Sequence, residues 1–357
     1  MLNLSLFYFT YFIVVFVFSV LMNELFLRFS KTLGIRRNEE DIRWSTVYKP
    51  ALGGITFYIT FLLSLITYSL FFNSSQFLMH SEVIGLLAAS TISFLLGLSD
   101  DAYDTTPIFK FLTQVLCGII LIYSGIYIKI FPSDYINYII TILWVVGLMN
   151  SINLLDNMDA IASIVALGAL FTMIALLWVE KSVNIMFLVL MLGTSSSILA
   201  FLLFNWHPSK MFMGDTGTQF LGLFMAALSI LFLLNGSSST VVLPADKRII
   251  SAILTFALPL IDTTVVFCNR ILKGTSPFKG GKDHTTHHLH YLGLKETQIA
   301  VLYIAYSLIC LACVVVMNKY LVQWTALYAV ILMLFFLLSL AAFFVITRIK
   351  KPGVTSS

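Results

Sequence analysis

The chain has 357 residues, 59% of them apolar and only 11% charged, with 31 Phe, 15 Tyr, a mean hydropathy of +0.96 and a formal net charge of +4. Charged residues at less than half the roughly 25% share of an ordinary soluble domain exclude a water-soluble globule. The basic residues stand singly between apolar runs, so no nucleic-acid surface is indicated.

Runs of about 17 or more residues, the length a helix needs to cross about 30 Å of hydrocarbon, number eleven. They cover 2–23, 50–73, 83–99, 111–128, 135–155, 160–179, 182–206, 216–234, 249–269, 297–318 and 320–347. Ten are free of charge and the ninth carries Asp262. The runs are apolar on every face rather than at alternate positions, which argues for helices and against a β-barrel. The expected fold is all-α: a single polytopic membrane helix bundle spanning residues 1–357. The first run lacks a basic leader and a small-residue cleavage site, and so reads as a retained helix. Cys117, Cys268, Cys310 and Cys313 all lie within apolar stretches, where a thiol acts as a small hydrophobe.

Eleven spans place the termini on opposite sides. The connections 24–49, 100–110, 156–159, 207–215 and 270–296 and the tail after 347 hold 16 of the 21 Lys and Arg. The positive-inside rule puts these segments and the C-terminus in the cytoplasm and the N-terminus outside. Thirteen of the 17 acidic residues fall on the same inner side or in the inner ends of spans, so chemistry is expected there.

Four polar clusters interrupt the inner ends. Asp100 and Asp101 close the third span, with Asp104 and Lys110 following; adjacent carboxylates repel unless a cation or a shared proton relieves them. Asn150, Asn153 and Asn157 share a helix face at i, i+3, i+7, beside Asp156 and Asp159. Asparagine in an apolar helix can also serve as interhelical glue. In Asn205-Trp-His-Pro-Ser-Lys-Met-Phe-Met-Gly-Asp215-Thr-Gly-Thr218, two glycines flank a carboxylate at a helix start. That pattern leaves amides free for phosphate oxygens and Asp215 free for a hard cation, or makes Asp215 a simple cap. The connection 270–290 carries Arg270, three lysines, His284, His287, His288 and His290, a trap for anions and, second in rank, a metal site. Hard-cation ligands with phosphate-type donors suit Mg²⁺-assisted phosphoryl transfer to a lipid partner. The P-loop and dinucleotide glycine signatures are absent from the sequence. A proton- or cation-coupled secondary transporter is the rival reading, since inner-facing carboxylates can bind protons or cations, although Asp262 is the only charge well within a span.

From 44 to 294 the motifs resemble, in order, the polyprenyl-phosphate N-acetylhexosamine-1-phosphate transferases of glycosyltransferase family 4, relatives of phospho-MurNAc-pentapeptide transferase. The matching strings are KPALGGI at 49–55, GLSDDAYDTTPIFKF at 97–111, NSINLLDNMDAIA at 150–162, NWHPSKMFMGDTGT at 205–218 and the Asp, Arg and histidine motifs within 259–288. The resemblance implies transfer of a sugar 1-phosphate from a UDP-N-acetylhexosamine to undecaprenyl phosphate, releasing UMP, as the first membrane step of a cell-surface glycan. It implies Mg²⁺, with Mn²⁺ as an alternative ion, and a multi-pass protein of a bacterial inner membrane working on the cytoplasmic face. Carried over, Asp100 and Asp101 lie by the lipid phosphate, one as base, with Lys110 nearby, and Asp215 is the metal ligand. Asn153, Asp156, Asp159 and Asn205 shape the nucleotide pocket, Asn150 is a further substrate-binding residue, and Arg270, His284, His287 and His288 hold the diphosphate or sugar. Direct attack and a phospho-aspartate route both stay open, as does a homodimer. The usual Asp-Gly-x-Asp-Gly reads Asp156-Asn157-Met158-Asp159-Ala160 here, and Ala51 stands where Arg is common. DHTTHHL lacks the three consecutive histidines of the pentapeptide-specific branch, which favours UDP-GlcNAc as donor.

Overall fold

The computed structural model describes residues 4–33, 49–72, 80–180, 184–238, 241–276 and 281–349. Residues 34–48, with Arg36, Arg37 and Arg43, and also Lys181, Lys279 and the tail from 350, all used above to assign sidedness, lie outside the described residues.

Thirteen helices run in order among the described residues: α1 (Leu4–Leu33), α2 (Gly53–Phe71), α3 (Ser81–Tyr103), α4 (Pro107–Tyr123), α5 (Asp134–Leu155), α6 (Ile161–Glu180), α7 (Ile185–Asn205), α8 (Gly214–Ser229), α9 (Ala245–Thr255), α10 (Ala257–Leu272), α11 (Thr285–Tyr291), α12 (Glu296–Lys319) and α13 (Ala326–Ile346). A π-helical turn, Ile230–Leu234, prolongs α8, and a two-residue antiparallel pairing follows it, Ser237 opposite Val242. Local sequence sets several starts. Asn184 caps α7 by accepting from the amides of Met186 and Phe187, and Thr106 followed by Pro107 opens α4.

Among the described residues nine helices are long and apolar enough to cross a membrane, and the pair α9 and α10 makes a tenth if counted as one span. The protein is therefore an all-α, multi-pass membrane bundle. Two expected spans differ from the reading above. The fourth is the 17-residue α4, about 26 Å long, short of a full crossing. The ninth is broken, with a 76° bend between α9 and α10. Pro259 explains the break: it has no amide to give the carbonyl of Thr255, the last residue of α9, so the ladder cannot run through.

The bundle is built around α8. Its span is 89% buried, against 6% for α13, so α8 is the central post and α13 faces lipid. α3, α5 and α2 pack against α8, and small residues let them come close. At Gly97 of α3 a Cβ would lie 2.3 Å from the carbonyl oxygen of Asp215. Only glycine permits that crossing, and it brings the end of α3 against the start of α8.

Candidate active site

The N-terminus of α8 is held from two directions. Residues 50–54 run parallel to 212–213: Phe212 N–H donates to Pro50 O (2.9 Å), Gly53 N–H to Phe212 O (3.2 Å) and Gly54 N–H to Met213 O (3.0 Å). Gly214, at φ +73°, then turns the chain into the helix through a left-handed conformation. Asp101 closes the turn from α3. Its carboxylate accepts from the amides of Asp215 (3.0 Å) and Thr216 (2.8 Å) and from Thr216 Oγ1 (2.7 Å). Asp101 is thus a cap supplied by another helix, where a negative charge also meets the positive end of the helix dipole. This corrects one expectation: the first amides of α8 are not free for phosphate, because Asp101 takes them.

Capping aims the Asp215 side chain away from its own helix into a polar centre. Asp215 Oδ1 accepts from Asn153 Nδ2 (2.9 Å), which also donates to Thr218 Oγ1 (2.8 Å). Asp215 and Asp100 are within hydrogen-bond reach of each other. Asp100 is buried; its Oδ1 accepts from the amide (2.9 Å) and hydroxyl (2.7 Å) of Thr105, and its Oδ2 pairs with Lys110 Nζ. Lys110 lies 3.8 Å from Asp215 Oδ2. Two carboxyl groups face to face need a cation or a shared proton, and among the described residues one lysine, Lys110, meets them here. The donor set is all oxygen, from two carboxylates and neighbouring hydroxyls, which fits a hard divalent cation.

α5 links this centre to a second cluster. One turn beyond Asn153, Asn157 accepts from Thr286 Oγ1 (2.6 Å), so the end of α5 meets the start of the histidine helix α11. Asp156 ends α5 with its amide on Asn153 O (3.2 Å). Asp262, buried in α10, anchors α11 by accepting from Thr285 N (2.8 Å) and Oγ1 (2.6 Å) and bonding His284 Nδ1 (2.8 Å). Arg270 grips Asp283 with two parallel bonds, 2.8 and 2.7 Å. Burial pushes the Asp283 carboxyl up, but the Arg270 guanidinium wins and holds it below its usual range. Burial, helped by the charge of His284, pushes the His287 imidazole down to about 4. His288 is also lowered, by burial and then by Lys273.

A third cluster surrounds Asp159. It accepts from the amide (2.9 Å) and hydroxyl (2.7 Å) of Ser209, bonds His207 Nδ1 (3.1 Å) and lies 3.6 Å from Lys49. Lys49 also donates to Ser209 (2.8 Å) and sits over the Phe212 ring.

The structure therefore brings Asp100, Asp101, Lys110, Asn153 and Asp215 into one centre; Asp156 ends α5, Asp159 sits in its own cluster with Ser209 and His207, Arg270 lies in α10, His284 precedes α11 and His287 and His288 lie in α11. Asn150 and Asn205 have structural partners. Asn150 bridges Gln114 (2.8 Å) and Val146 O (2.8 Å), the interhelical role left open above, and Gln114 passes the chain on to Gln219 (3.0 Å). Asn205, buried, accepts from the Ala160 amide (3.0 Å) and donates to Met211 O (3.0 Å). Lys49 and Asp262 lie within strings quoted above but were given no role in the site, and Glu296, which contacts His207, was not singled out at all.

Similarity to known proteins agrees with this geometry. Residues 83–233 match Glycosyl transferase family 4, a stretch that runs from α3 through α8. The chain is 26% identical over 298 residues to the "Probable undecaprenyl-phosphate N-acetylglucosaminyl 1-phosphate transferase" of Bacillus subtilis, covering 81% of this chain and 78% of that protein. It is 28% identical over 244 residues to the "Phospho-N-acetylmuramoyl-pentapeptide-transferase" of Streptococcus agalactiae and 30% identical over 240 residues to that of Streptococcus pneumoniae, in both cases covering 61% of this chain and 71% of the relative. With the motifs carried on one face of a helical membrane bundle and these relatives beside them, the chain belongs to glycosyl transferase family 4, whose members here are polyprenyl-phosphate sugar-1-phosphate transferases.

Proposed function

We propose that the chain transfers a sugar 1-phosphate, GlcNAc-1-phosphate as the default, from a UDP-N-acetylhexosamine to undecaprenyl phosphate. UMP leaves, and the work is done on the cytoplasmic face of a bacterial inner membrane with the N-terminus outside. The observation that carries this reading is the Asp100–Lys110–Asp215–Asn153 centre at the head of α8. The match over 298 residues to the Bacillus subtilis relative supports GlcNAc. The transporter reading gains no support from the relatives, and Asp262, the charge within a span, is accounted for by its bonds to His284 and Thr285.

In the reaction one P–O bond, between the sugar-bearing phosphorus and UMP, breaks, and one to the polyprenyl phosphate forms. Asp100 is placed to take the proton of the acceptor phosphate, and Lys110 beside it to hold that anion. Asp101 keeps α8 in register so that Asp215 stays aimed at the centre. Asp215, with Asp100 next to it, would hold Mg²⁺ or Mn²⁺; when bound, the ion neutralises charge on the diphosphate. Arg270 and Asp283 fix the loop that brings His284, His287 and His288 up to the donor. With the ring of His287 neutral near pH 7, it can both donate and accept a hydrogen bond toward sugar hydroxyls.

Purified protein in detergent, with Mg²⁺, undecaprenyl phosphate and a panel of UDP-sugars, tests the reading. UMP release is expected with UDP-GlcNAc and only when the lipid is present. UMP release from none of the panel contradicts it.

A further inference from the structure

Outside the Asp215 centre, one constellation has ligand geometry of its own. Asp159, in the turn between α5 and α6, His207, just past α7, and Glu296, the first residue of α12, each offer an atom within 4.8 Å of the others. Among the described residues this is the group of three or more that meets that condition, and it does not include the histidines of α11. Two carboxylate oxygens, from Asp159 and Glu296, lie against the same His207 Nδ1. A ring nitrogen carries at most one proton and so satisfies one acceptor at a time. The second oxygen then faces either the same proton or a lone pair, an arrangement that a cation in contact with all three atoms resolves.

We infer that Asp159, His207 and Glu296 form a second divalent-metal site, separate from the Asp215 centre and selective for a transition ion such as Zn²⁺. One imidazole and two carboxylates are a borderline donor set, softer than the all-oxygen set around Asp215. Zn²⁺ with bonds of about 2.0–2.1 Å holds tetrahedral ligands about 3.3 Å apart; His207 Nδ1 and Asp159 Oδ2, 3.1 Å apart, are already near that spacing, and the Glu296 oxygen, closer to Nδ1, would move outward to make room for the ion. Lys49, 3.6 Å from Asp159 Oδ2, competes for that carboxylate, but a carboxylate has about four lone-pair positions and can serve both. His207 is partly exposed, which gives the ion a path from solvent. Three protein ligands leave a fourth position open for water or an anionic oxygen. The ion would tie the start of α12 to the 205–214 loop and to the turn after α5.

Equilibrium dialysis of the full-length protein against Zn²⁺ in excess Mg²⁺ tests this, with melting temperature as a second readout. Wild type is expected to retain one Zn²⁺ per chain and to melt higher with it. Glu296→Gln and His207→Gln should each bind at least about tenfold more weakly while melting like wild type without Zn²⁺. Asp215→Asn should keep the ion, which separates this site from the proposed Mg²⁺ centre. Retention unchanged in both Glu296→Gln and His207→Gln would assign the ion to the histidines of α11 and overturn the inference, as would a wild type that retains none.

Discussion

Ala160 sits at φ +68°, in the left-handed region that L side chains rarely adopt. The turn between α5 and α6 needs that conformation so that the Ala160 amide can reach Asn205 Oδ1 and Asp159 can reach Ser209. An alanine there costs about 1–2 kcal/mol relative to glycine, part of which is offset by the greater freedom of glycine in the unfolded chain. Ala160→Gly should therefore stabilise the protein by up to about 1 kcal/mol, read as a higher melting temperature in detergent. The sequence marked this position as a departure from the usual Asp-Gly-x-Asp-Gly, but the backbone angle that gives the departure its cost is not written in composition. His287 makes a second prediction at this scale. Its folded value of about 4 lies below the ordinary 6.5, so between those values the unfolded chain binds the proton that the fold refuses. Stability should rise as pH increases from about 4 through 6.5 and then level off. His287→Gln should flatten much of that slope in melting temperatures taken across the range, leaving the smaller contribution that His288 makes in the same direction.

At the scale of elements, the close crossing of α3 and α8 decides whether Asp100 and Asp215 meet. Gly97→Ala would place a methyl against backbone atoms, which cannot rotate away, so the helices must separate. The expected cost is about 1–3 kcal/mol in stability, together with a large loss of turnover because Asp101 no longer reaches the amides of α8. Wild-type melting and turnover in Gly97→Ala would contradict that crossing. The helices themselves were legible, since each apolar run has its helix and the polar clusters fall at their ends. The break at Pro259 was also readable in principle, but a long apolar run hides a missing amide when only hydropathy is followed. Contacts between distant elements were not legible: nothing local in α3 says that Asp101 caps α8, and Glu296 reads as an ordinary acidic residue in the first turn of a helix.

Across the whole molecule, the ends of α3, α5, α7 and α10 and the starts of α2, α4, α8, α11 and α12 gather in linked clusters, which requires alternate spans to run in opposite directions. The membrane reading supplied that alternation, and the motif order supplied the residues, so the chemistry was predictable as an inventory; its geometry came from long-range packing around the buried α8. The claim on which the functional account rests is that Asp215, held by Asp101 and Asn153 and facing Asp100 and Lys110, is the centre of sugar-1-phosphate transfer. The direct measurement is the initial rate of UMP release from UDP-GlcNAc and undecaprenyl phosphate by Asp215→Asn, purified in detergent and shown to melt like wild type. The account predicts a loss of at least about a thousandfold, in keeping with removal of a principal charge-positioning group. Turnover close to wild type in that folded variant would contradict it.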